Sequence, residues 1–222
     1  MGRWLAPLVV VAALHPPGAW AQPCADASFR AFDPITGGVP GVAFVNEVTG
    51  LSDGVWATLH WDPDGPGPRP TAIVLAGHFS VAGNTPANNI ALYDVVEGTF
   101  SSLGDGLTST NPNVGAYVSA LAVLPSGALV VGGVFAEAGG TAANNIAVWD
   151  GAAWAPLGTG ASGAVSSLAV QSNGDLIAGG AFLTAGGNPA QRIARWDGAV
   201  WSALGTGMGG AQAAVRSLLV LP

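Results

Sequence analysis

The residues best able to do chemistry stand close together in the first third of the sequence and just beyond it: His60, Trp61, Asp62, Asp64 and His78. A neutral imidazole can take a proton near neutral pH or bind a metal, and a nearby carboxylate can orient it. These five are the candidate binding residues. Their spacing matches no zinc motif. Asp62-Pro63-Asp64-Gly65 holds a D-x-D-G fragment without the rest of a calcium loop, and a turn is its simpler account. The chain has no G-x-S-x-G, P-loop or C-x-x-C pattern. No catalytic residue, metal or cofactor is assigned.

Other candidates recur, and recurrence argues for structure. Trp149, Trp154, Trp196 and Trp201 could offer a sugar-stacking surface, but Tyr93 and Phe100 take the same places in an earlier copy. Packing between strands explains all six. Asp94, Asp150 and Asp197 each follow the first aromatic of such a pair. A catalytic pair need not recur in every copy, whereas a hairpin carboxylate would. Asn89 and Asn145, with Gln191 in the last copy, read as residues that fix a loop by hydrogen bonds.

The elements that position these residues come from an internal repeat. VSALAVLPSGALVVGGVFAEAGGTAANNIAVWDGAAWAPLGTG starts at Val118, and VSSLAVQSNGDLIAGGAFLTAGGNPAQRIARWDGAVWSALGTG starts at Val165, a period of 47. A looser copy aligns Trp56 with Val118, a spacing of 62. The fifteen extra residues fall in connections: six after Gly65, two after Asp94, seven before Tyr117. In this alignment His60 replaces Ala122 and Ala169, Trp61 replaces Val123 and Val170, and His78 replaces Val134 and Ala181. Each unit reads as four strands. In the last copy these are Val165–Gln171, apolar on both faces as a strand between two layers would be, then Asp175–Phe182, Arg192–Trp196 and Val200–Leu204. Ser172-Asn173-Gly174 and Asp197-Gly198 are turns, and Thr184–Pro189 is a Gly-rich loop.

Four short antiparallel strands in about 47 residues make one propeller blade. The Gly132-Gly133, Trp149, Trp154 series, and again Gly179-Gly180, Trp196, Trp201, resembles the kelch-type blade. LAVLPSGALVVGG and LAVQSNGDLIAGG are closer to delta-60-type and cortical-polarity-marker-like repeats of secreted and surface proteins. The resemblance covers roughly residues 55–222. It implies an all-β, β-propeller-like array and little about activity. A copper site like that of galactose oxidase is disfavoured, because Cys24 lies outside the blades. A WD40 array is disfavoured because Gly77-His78 is a single copy.

Three full units lie near 55–106, 118–160 and 165–207. Phe29–Asp33 resembles a third strand, and Val215–Pro222 repeats a first strand. Three and a half blades do not obviously close, since propellers close with four to eight. We therefore expect a piece of a longer chain. The alternative is a whole protein whose N-terminal strands join Val215–Pro222 in an odd fourth blade. A β-sandwich or solenoid is the runner-up architecture.

Composition bounds the function classes. The 222 residues carry a net charge of −7, six arginines and no lysine, so no basic patch suits nucleic acid. Half the residues are apolar and mean hydropathy is +0.46, which excludes disorder. Met1–Ala21 reads as a signal peptide: Arg3 is the basic head, Trp4–Leu14 is too short to span a bilayer, and Ala19-Trp20-Ala21 fits a cleavage site. Residues 22–54 follow as an N-terminal segment containing the single Cys24, and the repeats occupy 55–222. The expected product is a secreted, cell-surface or periplasmic binding or structural module. Its partner is a protein or glycan, met through loops such as Gly65–Thr71 and Asp105–Tyr117, and open strand edges would favour self-association. The alternative is an exported glycan hydrolase or lyase whose site lies in a divergent or missing blade.

Overall fold

The computed structural model describes residues 42–43, 54–62, 71–111, 115–210 and 213–220. The signal-like segment, Cys24, Phe29–Asp33, Asp64 and most of the Gly65–Thr71 loop lie outside them. The described residues fall in one unit, Pro40–Pro222, and are built of strands and turns with no helix.

Three four-stranded antiparallel sheets follow one another, each with its strands in chain order. The first blade holds β1 (Gly54–Trp61), β2 (Ala72–His78), β3 (Ile90–Asp94) and β4 (Thr99–Ser102). The second holds β5 (Tyr117–Val123), β6 (Leu129–Val134), β7 (Ile146–Trp149) and β8 (Trp154–Pro156). The third holds β9 (Val165–Val170), β10 (Leu176–Gly180), β11 (Ile193–Trp196) and β12 (Trp201–Ala203). The fold is all-β, a β-propeller-like array of blades, and the described blades do not close into a ring.

The core lies between blades. One apolar cluster joins Trp61, Val74 and Leu103 of the first blade to Trp149 and Trp154 of the second. Another joins Val130 and Leu157 of the second blade to Val165, Leu176 and Trp201 of the third. The sequence suggested a first strand buried on both faces, yet β9 is only alternately buried at its start, while β10 is buried throughout. The reason is position: a second strand has strands on either side and blades on both faces, whereas a first strand edges the array's axis.

The turn chemistry agrees with expectation. Oδ1 of Asp150 accepts the N–H groups of Ala152 and Ala153, both at 2.8 Å. Asp94 and Asp197 do the same in their own hairpins. The aromatic pairs stand directly opposite on third and fourth strands, with ring centroids 4.9 Å apart for Tyr93–Phe100, 5.2 Å for Trp149–Trp154 and 5.4 Å for Trp196–Trp201. The Gly-rich loop Thr184–Pro189 is itself a small hairpin, Thr184–Ala185 pairing with Asn188–Pro189. Its counterparts reach the preceding blade's exit segment: Glu137–Ala138 pairs with Leu107–Thr108, and Ala185 bridges to Ala161. Val81–Ala82 pairs likewise with Val42–Ala43.

Pairing register corrects the alignment of the first unit. Every first strand carries one extra residue opposite its Gly: Val55 faces Gly77 and Ala57 faces Ala76, Val118 faces Gly133 and Ala120 faces Gly132, Val165 faces Gly180 and Ser167 faces Gly179. Val55, not Trp56, is therefore the counterpart of Val118 and Val165. His60 takes the place of Val123 and Val170, and Trp61 that of Leu124 and Gln171. The bulge explains the glycine as well. A Cβ on Gly77, Gly133 or Gly180 would sit 2.0 Å from the carbonyl oxygen of Gly54, Tyr117 or Ala164. Bulges of this kind re-aim side chains, and here they aim Trp56, Ser119 and Ser166.

A candidate ligand groove at the inner strands

The re-aimed residues meet. An open groove of about 360 Å³ runs across the inner strands, lined among others by Trp56, Thr58, Ser119, Ser166, Arg216 and Ser217. Each blade supplies three consecutive residues beginning at its bulge, and residues 216–218 supply the fourth set. The segment 213–220 carries no assigned strand, yet it stands where the next first strand would stand. The Val215 N–H donates to the Gly180 carbonyl at 3.0 Å. A Cβ on Gly179 would strike Val215 as one on Gly132 would strike Val165. Hydroxyls tie neighbouring inner strands together: Ser119 donates to the Val165 carbonyl at 2.8 Å, Ser167 to that of Val215 at 3.4 Å.

Among the described residues the lining offers an indole face, hydroxyl groups and one guanidinium, with no carboxylate or imidazole. Trp56 is 42% exposed, with its ring 4.9 Å from that of Tyr117 and 6.4 Å from that of His78. Tyr117 is part-buried, and burial pushes its phenol above the ordinary value of 10.0. Arg216 is exposed at the groove's edge.

The residues singled out from sequence are dispersed. His60 pairs with Ile73 and His78 with Gly54, at opposite ends of the β1–β2 hairpin. Six residues along a strand is roughly 20 Å. His60 is exposed and His78 is buried, so the two do not share a site. Trp61 is buried in the contact between blades, its Nε1–H donating to the Gly127 carbonyl at 2.9 Å. Asp62 follows it at the end of β1, and Asp64 lies outside the described residues. Among the described residues no three His, Cys, Asp or Glu side chains gather as metal ligands. Of the two loops expected to form a contact surface, 63–70 lies outside the described residues, as does 112–114 of the other.

Sequence reasoning missed Trp56, Ser119, Ser166 and Arg216. The signal was present, since Val215-Arg216-Ser217 matches Val118-Ser119-Ala120 and Val165-Ser166-Ser167. What hid it was the one-residue slip at Trp56, which only the bulge reveals. A second correction concerns the loop-fixing position. Asn89 and Asn145 have φ of 67° and 63°, and their counterpart is Arg192 at 68°, not Gln191. Asn89 Nδ2 donates to the Leu107 carbonyl and Asn145 Nδ2 to that of Ala161, each at 2.8 Å. Arg192 reaches the equivalent carbonyl, Met208, at 2.8 Å with Nη1, and those of Gly210 and Ala213 with its other nitrogens.

One family model, described as "Domain of unknown function (DUF5122) beta-propeller", matches residues 171–196. The match runs from the turn after β9 to the end of β11, the Gly-Gly strand and its hairpin. It agrees with the blade architecture and assigns no activity. No curated protein matches the chain.

Proposed function

We propose that this is an exported β-propeller binding module, secreted or held at the cell surface, whose inner-strand groove takes an acidic saccharide. The observation that carries this reading is the convergence of Trp56, serine hydroxyls and Arg216 at four equivalent places in the repeat. Sugar rings are bound by flat aromatic faces and by hydroxyl hydrogen bonds, and a guanidinium recognises a carboxylate in a two-pronged fashion. A net charge of −7 makes the single cation of the groove a selective feature, since the rest of the surface repels anions at long range. Glycoside cleavage by the common route uses two carboxyl groups flanking the scissile bond. The described lining offers instead an indole, hydroxyls and a guanidinium, the groups that hold a sugar, and this is what supports the binding reading. Export rests on the signal-like Met1–Ala21.

Titration calorimetry with an oligouronate and with a neutral oligosaccharide of equal length tests this. The oligouronate should bind more tightly, with an advantage that shrinks as salt is added. Arg216→Gln should remove most of that advantage, and Trp56→Ala should weaken both sugars about tenfold. If neither sugar binds, or both variants bind as the parent does, the reading fails.

A further inference from the structure

The two contacts between the described blades are built on the same plug and socket. Trp154 of the second blade enters a socket on the first, donating its Nε1–H to the Leu103 carbonyl at 2.7 Å, with Trp149 and Trp154 closing over Gly104. Trp201 of the third blade enters the matching socket on the second, donating to the Leu157 carbonyl at 2.9 Å, with Trp196 and Trp201 closing over Gly158. Leu103 and Leu157 are buried as a result.

The third blade carries the same socket, and no described residue enters it. Its residues are Leu204, 41% exposed, and Gly205, where a Cβ would meet no atom within 4 Å. The exit residue Met208 is exposed, although its counterparts Leu107 and Ala161 are buried beside the next blade's hairpin. Next to the socket, residues 213–220 already lie in the first-strand place, held by the Val215 N–H and by Ser167. Leu219 and Val220 are exposed there, where a second strand would cover them.

We propose that this face, from Leu204 and Gly205 to Leu219, is a docking surface for three further strands of the same repeat type. The strand nearest Val215–Val220 would pair with it in antiparallel fashion. The last two would carry an aromatic pair whose second member is a tryptophan, its indole N–H donating to the Leu204 carbonyl. The two interfaces within the molecule specify this occupant in each detail. A second copy of this chain fits poorly: the three strands it would offer are already paired to their own first strand, and surrendering them would undo a blade.

The test adds a peptide with the sequence of residues 172–204, the second to fourth strands of the third unit, to the full chain. Native mass spectrometry and hydrogen exchange are the readouts. The expected result is a one-to-one complex with slowed exchange at 215–220. Trp201→Ala in the peptide, or Leu204→Asp in the chain, should weaken it by about tenfold or more, as loss of a buried tryptophan anchor does. In a second arm the same segment is fused after Pro222, where it should resist protease and slow exchange at 215–220. The proposal is overturned if the peptide does not bind and the fused segment is cut as fast as the free peptide. It is equally overturned if the chain alone is a dimer already protected at 215–220, since a second copy would then hold the face.

Discussion

At the scale of single residues, Asp94, Asp150, Asp175, Arg192 and Asp197 hold turns and loops. Asp175 accepts from Arg195 Nε and from Asn173 Nδ2, both at 2.6 Å. The Arg195 guanidinium, seconded by Asn173, holds the Asp175 carboxyl below its ordinary 3.8. Backbone N–H groups lower Asp150 and Asp197 in the same direction. A carboxyl whose native value is depressed adds stability above its unfolded value and loses it as pH falls through the native one. Melting temperature should thus fall on acidification from about pH 4 downward, and Asp175→Asn should flatten that slope without changing its sign. A flat profile in the parent protein would contradict this. Arg192 gives a sharper case. Arg192→Ala strands the carbonyls of Met208, Gly210 and Ala213, costing about 2 kcal/mol or more. Arg192→Asn should cost clearly less, because Asn89 and Asn145 meet the same carbonyl in the other blades. Denaturant titration of the two variants measures the difference. The sequence pointed to the neighbouring Gln191, since amides resemble amides by type. Nothing in residue type shows that a guanidinium can serve the same carbonyl from a left-handed backbone.

At the scale of the element, the bulge decides which side chains reach the groove. Gly133→Ala forces a methyl against the Tyr117 carbonyl at 2.0 Å. Relief requires moving β5 off β6, so the expected cost is about 2–3 kcal/mol, read as a shift of the denaturation midpoint. The expected second effect is weaker ligand binding, because Ser119 leaves its place. Unchanged stability would show that the bulge is not the reason for the glycine. The four strands of a unit were legible because hairpin signals and apolar runs recur 47 residues apart, and in the last copy their ends fell within two residues of the observed ones. The bulge was not legible, as an extra residue inside a strand leaves the hydrophobic pattern nearly intact. That single residue shifted His60 and Trp61 by one place and kept Trp56 out of the candidate set. The histidines attracted attention because they break the repeat, and the structure places them at two ends of a hairpin.

At the scale of the whole molecule, the blades are held to one another by what lies between them, since the two larger apolar clusters each span two blades. Stability in such an array is a sum of unit and neighbour terms. Removing one plug should therefore weaken two adjoining blades together. The repeat made this architecture readable from sequence, because no blade can bury its faces alone. The groove was not readable, because it exists only where three first strands and the segment 216–218 come side by side. The claim on which the account rests is that tryptophans of one blade are bonded inside the next. Indole N–H exchange, followed by nitrogen-resolved NMR with signals assigned by Trp→Phe variants, tests it directly. Trp61, Trp154 and Trp201, each donating to a carbonyl of a neighbouring blade, should exchange far more slowly than the exposed Trp56. If Trp154 and Trp201 exchange as fast as Trp56, the blades do not stack through these sockets and the account is wrong.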